Sequence, residues 1–140
     1  EAERMLDYAI ESGVTYIDTA YPYHDGESEP FVGRVLKKYK REDFYLATKL
    51  PMFKIDSLEQ AKEIFEEQMK RLDIDYVDFY LLHALNKDTW KKVIDLNIIP
   101  YCEELKKQGL KKSLLTIIQM LAFQVGLYVL WLHFQMLKLF

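Results

Sequence analysis

The strongest constraint on this chain is a recurrence. Apolar runs beginning near residues 14, 44 and 76 repeat at a spacing of roughly thirty residues, each followed by a polar residue and then by a helical stripe. A strand that returns parallel to its predecessor needs a crossover of a dozen or more residues, and a helix fills that length. The expected class is therefore α/β, with parallel strands alternating with helices. Doubly wound sheets and (β/α) barrels share this pattern. No GxGxxG follows any of the strands, which weakens the dinucleotide-binding doubly wound reading.

In chain order, residues 1–12 place Met5, Leu6, Ala9 and Ile10 on one helical stripe, and Gly13 is the expected stop. Val14 to Thr19 reads as a buried strand ending at Asp18, because it is rich in β-branched and aromatic residues. A polar turn follows, from Ala20 through Tyr21, Tyr23 and Gly26. Ser28 is the expected N-cap of a second helix, with Phe31, Val32, Val35, Leu36 and Tyr39 at helical spacing and an end near Lys40. Phe44 to Thr48 is a second strand terminating at Lys49, and Pro51 prevents regular continuation. Ser57 and Gln60 form a capping box for a third helix that reaches about Arg71 on the stripe Ala61, Ile64, Phe65, Gln68, Met69 and Leu72. Tyr76 to Leu82 is a third strand, interrupted by Asp78 and ending at His83. A short helix over Thr89–Asp95 and a longer one over Ile98–Gln108 complete the reading, with Pro100 tolerated in the first turn and Gly109 as stop.

The polar residues at the strand ends carry the chemistry. Asp18, Tyr23, Lys49 and His83 fall at or just beyond the C-terminal ends of successive strands, so a parallel sheet brings them to one edge, where barrel enzymes place their active sites. A tyrosine can give a proton to a developing alkoxide, but its ordinary pKa of about 10 makes it a poor donor near neutrality without a neighbouring cation. Lys49 is the candidate cation, Asp18 the candidate partner that fixes its ammonium, and His83 the group that orients a substrate carbonyl. Taken singly, each has an ordinary structural reading: Asp18 as a turn cap, Tyr23 as a rim aromatic, Lys49 as a solvated strand end, His83 as a satisfied core histidine. Their joint placement favours the active site. Met52, Phe53 and Trp90 are more simply read as packing than as recognition.

The series Gly13, Ile17-Asp18-Thr19-Ala20, Tyr23, Gly26, Ser28-Glu29 and Gly33, then Ala47-Thr48-Lys49, then Leu81-Leu82-His83, resembles the aldo-keto reductases in order, spacing and strand placement. The resemblance implies that residues 1–110 are part of a (β/α)8 TIM-type barrel whose reaction is NADPH-dependent reduction of an aldehyde or ketone. It implies Tyr23 as general acid, Lys49 as its partner, Asp18 as the residue that holds Lys49 and contributes to the cofactor site, and His83 as the substrate-binding group. Leu81 to Asn86 further resembles a bacterial branch that often carries an iron–sulfur module beyond the barrel, and no such module is expected here. The implied partner is a small carbonyl compound.

Composition excludes other classes. The net charge of −3 leaves no broad basic field, so no nucleic-acid partner is expected. The single cysteine, Cys102, excludes an internal disulfide and a CxxC metal framework, no metal site is expected, and a reducing, cytoplasmic location fits. Glu1 to Arg4 is acidic and already helical in pattern, so the chain is expected to begin mid-fold without a signal peptide.

The resemblance stops near residue 110. A full barrel of this type takes about 250 residues, whereas three clear strands and part of a fourth are legible here. The family's first strand and the later strands that supply most cofactor contacts are not found, so little activity is expected. A non-catalytic fragment or interaction module is the competing reading. Residues 111–140 form an apolar tail with no charged residue between Ser113 and Leu137. Three readings of it stay open: a frameshift product, a substitute strand or helix covering the flank of the sheet, and a membrane-spanning segment. Open sheet edges would favour self-association.

Overall fold

The computed structural model describes residues 1–113. The tail from residue 114 onward, with the three readings attached to it, lies outside the described residues. The elements are α1 (Ala2–Glu11), β1 (Tyr16–Asp18), α2 (Ser28–Leu36), β2 (Tyr45–Pro51), α3 (Leu58–Leu72), β3 (Val77–His83), α4 (Lys87–Asp95), α5 (Ile98–Lys107) and β4 (Lys111–Ser113). Short 3-10 turns occupy Tyr23–Gly26, Arg41–Asp43 and Met52–Lys54.

The strands pair in the order β1-β2-β3-β4, all parallel. Consecutive strands that are also spatial neighbours, joined by crossovers of the usual right hand, place their helices on one face of the sheet. A doubly wound sheet instead reverses strand order at a switch point. These four described strands show no reversal, which is the arrangement of a (β/α)8 segment.

Side chains alternate across each strand. On β2, Leu46, Thr48 and Leu50 face the helices, and all are fully buried. With Ile17, Tyr80 and Leu82 the two leucines form one core with Val32 and Leu36 of α2 and Ala61, Phe65 and Leu72 of α3. Each such buried aliphatic side chain contributes about 1.5–3 kcal/mol. The opposite face carries Asp18, Ala47, Lys49, Leu81 and His83, aligned by the pairs Asp18 with Ala47, Lys49 with Leu81 and Pro51 with His83.

The bottom of the sheet is tied by Arg41. Its guanidinium donates to Phe44 O at 3.0 Å, Tyr76 O at 3.1 Å and Asp78 Oδ2 at 2.6 Å, and lies 4.0 Å from the Tyr76 ring centroid. Asp78 also accepts the Leu46 N–H at 2.9 Å. The acid that interrupts the apolar run of β3 is thus a buried clamp between β2 and β3.

Several expectations are corrected. Only Ile17 of β1 is buried, while Val14, Tyr16 and Asp18 are exposed, so β1 is a short edge among the described strands rather than a buried strand over residues 14–19. Ser28 caps nothing: α2 begins at Ser28 itself, and its hydroxyl lies 2.9 Å from Thr19 Oγ1. α2 ends at Leu36 instead of near Lys40, closed by tight backbone bonds from Lys38 N to Val35 O and Tyr39 N to Leu36 O. β2 runs on through Pro51, which pairs as its last residue, where the missing N–H costs least. Ser57 Oγ accepts the Gln60 N–H at 3.2 Å as expected, but Gln60 Oε1 returns to Asp56 N at 2.7 Å instead of to Ser57. α4 begins two residues early because Asn86 and Thr89 form a reciprocal capping box. Cys102 and Met52 are buried. Among the described residues no helix is long and apolar enough to cross a membrane.

Candidate active site

The site starts from the unequal lengths of β1 and β2. β1 ends at Asp18, opposite Ala47, and β2 continues past it to Pro51. Lys49 therefore stands beyond the end of its neighbour strand, on the same face as Asp18. Its ammonium donates to Asp18 Oδ1, to Thr19 O at 2.9 Å and to Tyr23 Oη at 3.2 Å. An ammonium has three N–H donors and no acceptor. All three are accounted for, so the lysine is fixed in position.

Tyr23 reaches this point because the chain turns sharply after β1. Tyr23 N–H donates to Ala20 O at 3.1 Å. His24 (φ 52°), Asp25 (φ 56°) and Gly26 (φ 93°) then follow in the left-handed region. Short polar side chains and glycine enter that region most readily, so the sequence His-Asp-Gly suits the turn.

The contact between Lys49 and Tyr23 has a direction. Lysine can only donate, so the phenolic oxygen accepts, and its own O–H is left to point elsewhere. The Lys49 side chain is 11 % exposed and Tyr23 is 38 % exposed. A shielded cation therefore lies directly against a solvent-reachable hydroxyl.

His83, at the end of β3, completes the cluster. Its ring meets Tyr23 edge-on at 5.6 Å between centroids, and Phe53 at 5.8 Å. Burial is the main cause that holds the imidazole below its ordinary pKa of 6.5; Lys49 pushes the same way and Asp18 opposes. The ring is therefore neutral near pH 7, one nitrogen donating and one accepting. Its Nδ1 is buried without a hydrogen-bond partner among the described residues.

All four residues singled out from the sequence thus converge at one edge. The arrangement offers a hydroxyl proton, a fixed cation beside it and a neutral imidazole. Among the described residues no group of three or more His, Cys, Asp or Glu is placed to hold a metal ion. A groove of about 600 Å³ between α1 and α2 reaches Asp18 and His24. A second, of about 1010 Å³ between α3 and α5, contains none of the four.

Sequence reasoning missed a polar network on the helix-facing side of the same strands. Glu29 is wholly buried, and its Oε1 accepts from Thr48 Oγ1 at 2.6 Å and Gln68 Nε2 at 2.7 Å. Tyr80 donates to Gln68 Oε1 at 2.8 Å. Burial pushes the Glu29 carboxyl above the usual carboxylate range, against the pull of Thr48, Gln68 and Arg71. Arg71 lies 3.6 Å from Glu29 Oε2. One signal was available: Gln68 stands on the apolar stripe of α3, and a buried polar side chain needs partners.

The aldo/keto reductase family model matches residues 1–114. The chain is similar to methylglyoxal reductase DkgA of Salmonella typhimurium, 35 % identical over 122 residues, which is 81 % of this chain and 39 % of that relative. Among solved structures it resembles the holo form of aldo-keto reductase AKR11C1 from Bacillus halodurans at TM-score 0.62 and 39 % identity, over 80 % of this chain and 37 % of that one. It also resembles aldo-keto reductase AKR2E5 complexed with NADPH at TM-score 0.58 and 25 % identity, over 79 % of this chain and 36 % of that one. The chain spans 25 % to 39 % of the length of the curated relatives it matches.

Proposed function

This chain belongs to the aldo/keto reductase family, and we propose that its strand-end cluster is the proton-donating part of a site that reduces small aldehydes or ketones. The observation that carries the reading is the saturation of Lys49 by Asp18, Thr19 and Tyr23, which leaves the Tyr23 proton pointing away from the cation.

In this reading NADPH, when bound, supplies a hydride to the carbonyl carbon. Tyr23 gives its proton to the carbonyl oxygen as negative charge develops there, and Lys49 stabilises the phenolate left behind. Asp18 neutralises and anchors the ammonium. His83, neutral, donates a hydrogen bond to the same carbonyl oxygen and fixes its direction. The tyrosine proton completes the alcohol, and solvent returns a proton to Tyr23.

The described residues fit part of the cofactor. Asp18 keeps a carboxylate oxygen beyond the one that takes Lys49, and is the candidate contact to the nicotinamide end. Lys49 has no donor left for a phosphate. The phosphate-binding elements are not found among the described residues.

The test is NADPH absorbance with methylglyoxal as substrate, together with quenching of protein fluorescence by NADPH. Weak turnover that Tyr23→Phe lowers by about 10²-fold or more is expected. Equal rates in the two proteins would overturn the assignment of Tyr23. Absence of any quenching would favour the non-catalytic reading.

A further inference from the structure

The network behind the sheet touches the site at two backbone positions. The first is Lys49 itself. Ala47 O accepts the Thr19 N–H at 3.0 Å, so carbonyls of this parity on β2 point toward β1. Two residues on, Lys49 O points the same way, but β1 has ended. A buried carbonyl without a strand neighbour must find another donor. Gln68 Nε2 supplies it at 3.1 Å. The Gln68 amide cannot flip without loss, because Tyr80 Oη donates to its oxygen and Glu29 accepts from its nitrogen.

The second position is the turn that carries Tyr23. Arg71, three residues along α3 from Gln68, donates from Nη1 to Tyr21 O at 3.4 Å and stacks 4.2 Å from the Tyr21 ring centroid. A Cβ built on Gly26 would sit 3.5 Å from Arg71 Nη1, so the left-handed end of the turn lies beside the guanidinium. Arg71 is held in turn by Glu67, at 2.6 Å, and by buried Glu29. Glu67 also accepts the Tyr21 hydroxyl at 2.8 Å. One helix therefore grips both sides of the contact between Lys49 and Tyr23, and Glu29 couples the two grips.

We propose that Gln68 and Arg71, linked through Glu29, are positioning residues that hold the Lys49 backbone and the Tyr23 turn in register, so that ammonium and phenol meet. The proposal rests on the assignment of Tyr23 and Lys49 made above. It concerns their geometry, and that geometry has a readout which does not require turnover.

The experiment uses the full chain labelled with ring-¹³C tyrosine. Tyr23→Phe assigns the Tyr23 resonance, and the shift produced in that resonance by Lys49→Met measures the contact. The same shift is then measured in Gln68→Leu and Arg71→Met backgrounds, as a double-mutant cycle. It is expected to fall by at least half in each. Arg71→Lys keeps a cation opposite Glu29 but loses the planar fork, and is expected to give an intermediate value; it serves as the arm of choice should Arg71→Met fail to fold. Where turnover is measurable, kcat is expected to fall about tenfold or more with KM little changed, because misplacement by an ångström suffices for such losses. An unchanged Tyr23 response to Lys49→Met in the Gln68 and Arg71 variants would overturn the proposal. Turnover that survives Tyr23→Phe would instead overturn the functional reading, and leave the measured coupling to decide the positioning role alone.

Discussion

Gly33 is where the packing that carries this network is most sharply testable. A Cβ at position 33 would lie 2.5 Å from Leu72 O, 2.7 Å from Leu72 C and 2.8 Å from Arg71 O. These are backbone atoms at the end of α3, so no rotamer change can relieve the overlap. Ordinary carbon–oxygen contacts lie near 3.4 Å, so α2 and α3 must part by roughly 0.9 Å to admit a methyl group. A gap of that size forfeits between a quarter and a half of each dispersion contact across the interface. Overpacking costs about 1–3 kcal/mol, and three immovable backbone atoms inside 3.0 Å put this case in the upper part of that range, about 2–3 kcal/mol. The intrinsic gain of alanine over glycine within a helix opposes it by about 1 kcal/mol. The steric term wins, and Gly33→Ala is expected to destabilise the fold by about 1–2 kcal/mol. With a urea m-value of about 2 kcal/mol/M, the midpoint falls by about 0.5–1 M. Equilibrium urea unfolding followed by tryptophan fluorescence measures this. A midpoint equal to or above that of the parent chain would refute the reasoning, since it would mean that the helices separate at no cost.

Two further predictions concern titration. The imidazole of His83 is expected to titrate below 6.5 by histidine ¹⁵N NMR, and Lys49→Met should move it only part of the way back, because burial is the larger cause. A folded-state value below the unfolded one stabilises the fold above pH 6.5 and loses that contribution as pH falls, so His83→Gln should reduce the acid-side decline in stability. Glu29 has the opposite sign. Its folded-state value is raised by burial, so its contribution is fully present below the unfolded value near 4.5 and is lost as pH rises through the folded one. Unfolding midpoints of Glu29→Gln and the parent chain should therefore diverge in favour of the variant as pH rises from 4.5, and a constant difference across that range would count against the assigned burial cost.

The parallel sheet and the meeting of Asp18, Tyr23, Lys49 and His83 at one edge were legible in the sequence because each is a local signal. A polar residue after an apolar run marks a strand end wherever it occurs, and parallel topology brings such ends together. What was not legible is relational. Ser28 looks like an N-cap in its own segment, yet its hydroxyl lies against Thr19, nine residues away. Gln68 looks like a flaw in an apolar stripe until Glu29, 39 residues earlier, is seen beneath it. Asp78 looks like an interruption of β3 until Arg41, 37 residues away, is found against it. β1 looks buried by composition, but Tyr16 and Asp18 face the side of the sheet that the helices do not cover.

The decisive relation is one of register. Strand residues advance about 3.3 Å each in a parallel sheet, so Lys49 stands roughly 6.6 Å beyond the level of Asp18, which pairs with Ala47. That separation is within the span of a lysine side chain, which can lean back to the carboxylate while its carbonyl lies beyond the last residue of β1. A slip of one residue between β1 and β2 would turn Lys49 to the helix face and bury its charge among Leu46, Leu50 and Phe65. Each device found on the helix side resists that slip. Thr48 is bonded to Glu29, Lys49 O to Gln68, and Leu46 N to Asp78, so one side chain, one carbonyl and one N–H of β2 are each specified by a different partner. The polar atoms buried behind β2 are therefore best understood as fixing a register. The ammonium then meets the phenol as a consequence of where the strand is allowed to sit.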